Sequence, residues 1–287
     1  MYLQNDLYTI YGEVLVKKDV EITPGVVKRI REMGKRHKDT TILLKNTAIF
    51  SDFRKVFGGS KYANMLNSPA FKDKICEIAG KLEIENDLIF ELGTMKSNLP
   101  YTYDHVLAVA ALATRVALAE RSKKYDEVTT LRCGFTHDIG KTRVPISILN
   151  KADKLTEKEK SIIQTHPLAG YLMLEYYLKK DRTACSLANL NHHERLDGSG
   201  YPKGTRRVDK YAQLISIVDI LDALITKRPY RCKAFTLRAS LDYLLMQADM
   251  GKFDMDLVRS FISLARKDKP DIKTMHISRE IREVLPD

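Results

Sequence analysis

Cysteine is scarce in this chain of 287 residues, which contains four: Cys76, Cys133, Cys185 and Cys232. No two of them lie close together in the sequence, and no CxxC pair occurs. This spacing argues against a structural zinc site and against a disulfide framework. We therefore expect the protein to work in a reducing compartment, the cytoplasm.

Long apolar runs are missing as well. No stretch approaches the roughly 20 residues that a transmembrane helix needs. The N-terminus lacks the charged start and the apolar core of a signal peptide. We therefore expect neither a membrane span nor a secretory leader.

The charge is unbalanced towards the basic side, with 48 Lys and Arg against 37 Asp and Glu, a net charge of +11 and a pI near 9.3. A basic protein favours anionic partners such as a nucleotide, a nucleic acid or a membrane surface. The basic residues are scattered through helical patterns, so most of them are expected to form solvated faces. Because no nucleic-acid-binding motif accompanies the charge, we expect an anionic small substrate and no nucleic acid.

The first third of the chain has a mixed pattern. Residues 7–21 and 40–50 are rich in β-branched and aromatic residues, which predicts strands. Between them, Thr23 and Pro24 predict a helix start, and Gly34 predicts its end. Residues 51–93 are helical in pattern. We predict a small mixed α/β N-terminal domain over residues 1–95.

The rest of the chain is predicted to be helical. Apolar periodicity indicates helices over residues 103–122, 126–136, 156–179, 183–194, 208–226, 234–249 and 254–266. A turn-rich loop covers residues 198–204. We therefore predict an all-α helical bundle over residues 96–287, and an α+β protein overall.

Histidines are concentrated in this helical part. The chain has seven, of which five lie between positions 105 and 193: His105, His137, His166, His192 and His193. A single histidine on an apolar helix is usually a core residue, but five together, with Asp138 directly after one of them, indicate a metal site. The other two, His37 and His276, are expected to be plain surface residues.

Two carboxylates interrupt an apolar helix. Asp219 and Asp222 lie three residues apart, and therefore on one helix face. A buried carboxylate is costly unless it is paired or bound to a metal. For Asp219 we favour a metal; for Asp222, a salt bridge or a capping role without metal is equally open.

The loop Gly198–Pro202 closely follows the paired histidines. Its two glycines allow the backbone to approach a ligand, and Tyr201 adds an aromatic face and a hydroxyl group. A plain tight turn is the alternative interpretation.

These motifs together resemble the HD-GYP subgroup of the HD phosphohydrolase superfamily. The resemblance covers about residues 100–268 and rests on His105, His137-Asp138-Ile139-Gly140-Lys141, His166-Pro167, the run from His192 to Pro202, Asp219 to Leu224, and Arg228-Pro229-Tyr230. Residues 1–95 are only vaguely similar to the variable N-terminal modules of such proteins.

The resemblance implies a helical HD fold that holds divalent metals, commonly iron or manganese. It implies hydrolysis of cyclic di-GMP to linear pGpG, and it leaves open whether the reaction continues to GMP. The implied metal ligands are His105, His137, Asp138, His166, His192, His193 and Asp219, with Asp138 as a bridge. Asp138 and Lys141 would be catalytic, and the substrate contacts would come from Lys141, Tyr201, Asp222 and Arg228.

One departure bears on the number of metals. Some members carry a glutamate four residues before the first ligand histidine, where it helps to hold a third metal, and this chain has Tyr101 there. We therefore predict two divalent ions. Two alternatives for the function stay open: an HD phosphohydrolase that acts on another cyclic dinucleotide, and a catalytically silent sensor that works through protein contacts. The N-terminal domain is equally compatible with a homodimerisation module and with a regulatory module that contacts a signalling partner.

Overall fold

A computed structural model describes residues 1–66, 68–119, 124–178, 182–226 and 234–274. Within these ranges the strands are β1 Leu7–Tyr8, β2 Val14–Val16, β3 Thr41–Leu43 and β4 Glu83–Glu85. The helices are α1 Pro24–Arg36, α2 Ala48–Lys55, α3 Ala63–Leu66, α4 Pro69–Lys81, α5 Asn86–Asn98, α6 Pro100–Ala119, α7 Glu127–Thr136, α8 Ile146–Leu149, α9 Glu157–Ile163, α10 His166–Tyr177, α11 Arg182–Asn191, α12 Lys210–Ile225, α13 Leu237–Asp249 and α14 Met255–Ala265. Short 3-10 helices cover Leu44–Asn46, Val56–Gly58, Ser60–Tyr62 and Ile139–Arg143.

The strands form two small antiparallel ribbons. β1 pairs with β2, and β3 pairs with β4 in the register Thr41 to Glu85. Strands within residues 7–21 are thus confirmed, whereas the strand predicted over residues 40–50 is wrong beyond Leu43. There the chain turns into a 3-10 helix and then α2, whose apolar residues Ile49 and Phe53 are buried at helical spacing.

Helix α1 begins as predicted but ends later. The Thr23 hydroxyl accepts from the Val26 amide at 3.4 Å, which caps the first turn. Gly34 does not end the helix, which continues to Arg36. A β-carbon at Gly34 would lie 2.2 Å from the Tyr176 carbonyl oxygen, so this glycine allows α1 to pack closely on α10.

His37, expected to be a plain surface residue, is partly buried at the end of α1. Its Nε2 lies 2.7 Å from a carboxylate oxygen of the buried Asp87. Its ring lies between those of Tyr11 and Tyr176, with centroid distances of 5.3 and 5.4 Å. The surface prediction is therefore wrong for His37, because the adjoining aromatic side chains cover it. His276 lies outside the described residues.

The helical part is built around α6. Helices α5, α7 and α12 pack against it, and α11 packs between α7, α10 and α12. At Gly134 a β-carbon would lie 2.4 Å from the Ala110 backbone, so α6 and α7 approach closely there. The expected helical bundle is confirmed, and within the described ranges the strands all lie before residue 86. The division at residue 95 stays a prediction, and α5 runs through that position.

Several helix boundaries in this part differ from the prediction, and two of the differences concern predicted ligands. The single helix expected over residues 156–179 is two helices, because Pro167 favours a new helix start in the first turn of α10. The helix expected to end at residue 194 ends at Asn191. His192 and His193 therefore follow α11 instead of lying within it.

None of the helices within the described ranges combines the length and the apolar character that a membrane crossing requires.

Candidate metal centre

The predicted ligands converge from five places in the helical part. His105 lies in α6, His166 is the first residue of α10, and Asp219 lies in α12. The other four follow helix ends: His137 and Asp138 follow α7, and His192 and His193 follow α11. Six of the seven are buried, and His193 is partly exposed.

Three of the imidazole rings are oriented in the same way. In each ring, Nδ1 donates to the backbone carbonyl three residues earlier. These donor–acceptor distances are 2.9 Å for His137 to Gly134, 2.7 Å for His166 to Ile163 and 2.6 Å for His192 to Asn189. A carbonyl oxygen can only accept, so Nδ1 carries the proton. The lone pair of Nε2 can then bind a metal ion.

His105 reaches the same state through a side chain. Its Nδ1 lies 2.6 Å from the Asp222 Oδ2 atom, and its Nε2 lies 3.0 Å from the Asp219 Oδ1 atom. A carboxylate on the outer ring nitrogen orients the ring and makes the inner nitrogen a better metal donor.

Asp138 lies between two groups of potential ligands. Its Oδ2 atom is 3.6 Å from His137 Nε2 and 3.7 Å from His105 Nε2. Its Oδ1 atom is 3.2 Å from His166 Nε2 and 3.7 Å from His192 Nε2. Each carboxylate oxygen thus faces a different set of imidazoles, with His193 completing the second set.

The donors fit divalent transition metals. Imidazole nitrogens with a carboxylate are ligands that such metals prefer. The buried Nε2 atom of His137 has no hydrogen-bond partner among the described residues. An unsatisfied buried polar atom costs about 1–3 kcal/mol, and a cation at this position would remove that cost.

The charge states also suit a metal. Burial lowers the pKa of His105, His166, His192 and His193, and it lowers the pKa of His192 to about 3. Burial acts to raise the pKa of Asp138, but the neighbouring Lys141 ammonium group outweighs it and holds the pKa well below the usual range. Against the same effect of burial, the contact with His105 also holds the pKa of Asp219 well below its usual range. At neutral pH these four histidines are therefore uncharged and the two carboxylates are ionised, as metal ligands must be.

Lys141 lies beside the shared carboxylate. Its ammonium group donates to Asp138 Oδ2 from the 3-10 helix Ile139–Arg143. A β-carbon at Gly140 would lie 2.0 Å from the His166 carbonyl oxygen. The glycine in the His-Asp-Ile-Gly-Lys run therefore lets the segment that carries Lys141 pack directly on the start of α10.

The loop after the paired histidines is held against the centre. The Tyr201 ring stacks on His193 with a centroid distance of 4.6 Å. The buried carboxylate of Glu194 accepts the backbone amides of Lys203 at 2.6 Å and Thr205 at 3.0 Å. We predicted no role for Glu194 from the sequence. Its position directly after two candidate ligand histidines is the signal that could have indicated a role at the site.

Only a glycine fits at position 200, because the loop backbone there lies close to the backbone of His193 and Glu194. A β-carbon there would lie 2.4 Å from the His193 carbonyl oxygen. Burial raises the pKa of Tyr201 above its ordinary value, so its hydroxyl stays protonated. The stacked ring and this hydroxyl both lie next to the cluster.

The remaining predicted contacts have different outcomes. Arg228 lies outside the described residues. Asp222 forms the salt bridge that was left open for it: Oδ1 is 2.8 Å from the ammonium nitrogen of Lys61, while Oδ2 faces His105. Asp222 also lines a cavity of about 610 Å³ together with Tyr101, and its contact with substrate stays a prediction. Lys61 was not predicted as a partner of Asp222, because no local sequence pattern links two residues that lie 161 positions apart.

A second cavity lies beside Lys141. Its volume is about 680 Å³, and Tyr101 belongs to its wall as well. The two cavities thus adjoin the cluster at His105 and at Lys141.

Comparison with known proteins supports the motif-based interpretation. A family described as "HD domain" matches residues 90–257. The chain is 30% identical over 231 residues to the cyclic di-GMP phosphodiesterase PA4108 of Pseudomonas aeruginosa. It is 41% identical over 113 residues to the cyclic di-GMP phosphodiesterase response regulator RpfG of Xanthomonas campestris, and 31% identical over 193 residues to the 3'3'-cGAMP-specific phosphodiesterase 1 of Vibrio cholerae.

These matches cover only part of each relative. They span 79%, 39% and 67% of this chain, but 53%, 30% and 43% of the respective relatives. The chain therefore spans about half or less of the length of the proteins that it matches.

Proposed function

Since this chain belongs to the HD domain family, we propose that it is a metal-dependent phosphodiesterase of the HD-GYP kind that hydrolyses cyclic di-GMP. The observation that carries this proposal is the Asp138 carboxylate, which faces two sets of buried imidazoles with its two oxygen atoms. The relatives named above support the substrate class, because all three carry names of cyclic-dinucleotide phosphodiesterases.

We propose two divalent ions, iron or manganese, with Asp138 as the shared ligand. One ion would be held by His105, His137 and Asp219, the other by His166, His192 and His193. When bound, such a pair clamps the phosphate oxygens and lowers the pKa of water to near neutrality.

The side chains around the cluster then have separate tasks. Lys141, next to Asp138, donates to a phosphate oxygen and stabilises the extra negative charge that develops during hydrolysis. Tyr201, fixed on His193, offers its ring face to a nucleobase or its hydroxyl to the sugar-phosphate backbone. Arg228 and Asp222 stay as proposed substrate contacts, the first for a phosphate and the second from the wall of the cavity next to His105.

The alternatives are separated by one set of assays. Purified protein is loaded with Mn²⁺ or, without oxygen, with Fe²⁺, and bound metal is counted by elemental analysis. Turnover of cyclic di-GMP and of 3'3'-cGAMP is then followed by chromatography. We expect two ions per chain and faster turnover of cyclic di-GMP; faster turnover of the other dinucleotide would change the substrate but not the chemistry.

Substitution of Asp138 supplies the decisive control. Asp138→Asn keeps the shape but removes the shared charge. We therefore expect loss of bound metal and a decrease in turnover on the order of ten-thousandfold, the scale of removing an essential catalytic group. Asp256→Asn, on the exposed first turn of α14, should leave both unchanged. A loaded wild-type protein that binds the dinucleotide without cleaving it would favour the silent sensor instead.

We also propose a cytoplasmic location. The sulfur atoms of the buried Cys133 and Cys185 lie 3.5 Å apart, well beyond the length of a disulfide bond. A reducing compartment keeps such a pair as thiols.

A further inference from the structure

Lys61 connects the N-terminal region with a ligand of the candidate metal centre. It lies in the 3-10 helix Ser60–Tyr62, outside the residues that match the HD domain family. Its ammonium nitrogen is 2.8 Å from Asp222 Oδ1, and the side chains of Lys61 and Asp222 are 31% and 2% exposed. Asp222 in turn holds His105 Nδ1 at 2.6 Å. The contacts therefore run from Lys61 through Asp222 to His105.

The segment that carries Lys61 is firmly packed on the helices of the centre. Phe53, shortly before it, packs edge-on against Phe57 at 5.4 Å and against Phe135 of α7 at 5.2 Å. Shortly after it, the Met65 carbonyl accepts from Arg115 Nε of α6 at 3.2 Å. Lys61 is thus presented from a fixed backbone and not from a loose loop.

The charges explain why a cation is needed at this point. Asp222 is buried and close to Asp219, which lies one turn earlier in α12 and also faces His105. Two carboxylates that contact the same imidazole ring repel each other, and a buried carboxylate without a cationic partner is costly. Lys61 engages one oxygen of Asp222, which leaves the other oxygen directed at His105.

We propose that Lys61 is a positioning residue for the metal centre. It acts by holding the Asp222 carboxylate in the orientation that directs His105 Nε2 towards the ion on that side of Asp138. This inference rests on the proposed function, since it concerns an ion bound by His105. It makes the N-terminal region a structural part of the metal site.

The test measures metal binding and does not need turnover. Metal-free protein is titrated with Mn²⁺, and free Mn²⁺ is quantified by electron paramagnetic resonance. Partners behind a metal-ligating histidine typically contribute 10–100-fold to affinity. For Lys61→Met we expect one of two Mn²⁺ ions to bind about tenfold more weakly, while the other keeps its affinity.

Matched variants separate this role from a general loss of charge or fold. Lys55→Met removes a cation from the wall of the same cavity, but Lys55 pairs with Asp52 and not with Asp222. It should bind both ions as the wild type does. Lys61→Arg keeps a cation that can reach Asp222 and should restore the lost affinity. If Lys61→Met does not fold, as judged by circular dichroism, Lys61→Gln replaces it.

A double-mutant cycle tests the route through Asp222. In an Asp222→Asn background, Lys61→Met should weaken Mn²⁺ binding less than twofold, because the carboxylate on which it acts is gone. Equal affinity of Lys61→Met and the wild type, tighter binding, or additive effects in the cycle would each overturn the proposal. If the wild type binds no Mn²⁺ at all, the proposed function fails and this inference fails with it; if the wild type binds two ions, only the Lys61 inference is at risk.

Discussion

Glu91 is the residue whose substitution should best show how α5, the helix before α6, supports the site. Its side chain is 1% exposed and accepts two hydrogen bonds from the Arg143 guanidinium, one from Nη1 at 3.0 Å and one from Nη2. The hydroxyl group of Tyr177 donates to the same carboxylate at 3.0 Å and itself accepts from the Ile10 amide at 3.1 Å. Arg143 ends the 3-10 helix that carries Lys141.

Glu91→Gln should therefore destabilise the fold and misplace Lys141. An amide keeps the shape but turns one acceptor into a donor. In either orientation this donor faces the Arg143 guanidinium, and it also faces Tyr177 at the Oε1 position or Thr142 at the Oε2 position. Burial and Glu91 hold the pKa of Tyr177 above its ordinary value, so the phenol cannot become an anionic acceptor. Breaking one side of a buried pair costs about 3–5 kcal/mol. Because Arg143 is 20% exposed and stays partly hydrated, we expect the lower part of this range, about 3 kcal/mol.

Urea unfolding followed by circular dichroism measures the stability, and dinucleotide turnover measures the function. We expect turnover to fall on the order of tenfold or more at a temperature where the variant is folded, since small displacements of a catalytic group are costly. Glu157→Gln is the matched control: its partner Lys160 lies 2.7 Å away, but Glu157 is 89% exposed, so little change is expected. Equal effects of the two variants on stability, or full turnover by folded Glu91→Gln, would refute the reasoning.

Two further predictions follow from the cluster. Gly140→Ala places a β-carbon 2.0 Å from the His166 carbonyl oxygen, so we expect a loss of several kcal/mol in stability together with reduced metal content; normal values of both would contradict the close packing. The metal-free protein should lose stability as the pH falls below about 6.5, because burial lowers the pKa of His105, His166, His192 and His193 and the unfolded chain takes up protons first. Each such imidazole contributes up to about 1.4 kcal/mol per pH unit, which urea unfolding at pH 7.5 and 5.5 would detect; equal stability at both pH values would contradict it.

The helical half could be predicted from the sequence because its apolar periods are long. The helix expected over residues 126–136 is α7 to within one residue, and that expected over 254–266 is α14 to within one residue at each end. Where apolar runs are short, the same residues suit a strand or a helix. Residues 40–50 show this: Ile49 and Phe53 lie on one face of α2, although the local composition favours a strand.

The candidate ligands could be predicted because their residue types are unusual at these positions. The residues that hold them in place could not be predicted. Histidines and acidic residues are rare enough in apolar helices to stand out, so the convergence of His105, His137 and Asp138 was foreseeable. The contact between Lys61 and Asp222, the carboxylate that holds His105, was not foreseeable. Lys61 is one of many lysines in a basic chain, and only the tertiary fold brings it to Asp222.

Besides Lys61 with Asp222, three ion pairs with buried carboxylates join described residues that precede α6 to elements that follow it. They are Glu85 with Arg132, Glu91 with Arg143, and Arg31 with Glu175. Buried pairs add little net stability, because desolvation offsets most of their attraction, so stability alone does not explain three of them. Each pair holds an element that carries a site residue: α7 leads into His137, the 3-10 helix bears Lys141, and α10 begins with His166. Because directional ion pairs resist sliding more than apolar contacts do, we expect these pairs to orient the three elements relative to one another. A substitution that removes one of them should therefore affect the metal centre first.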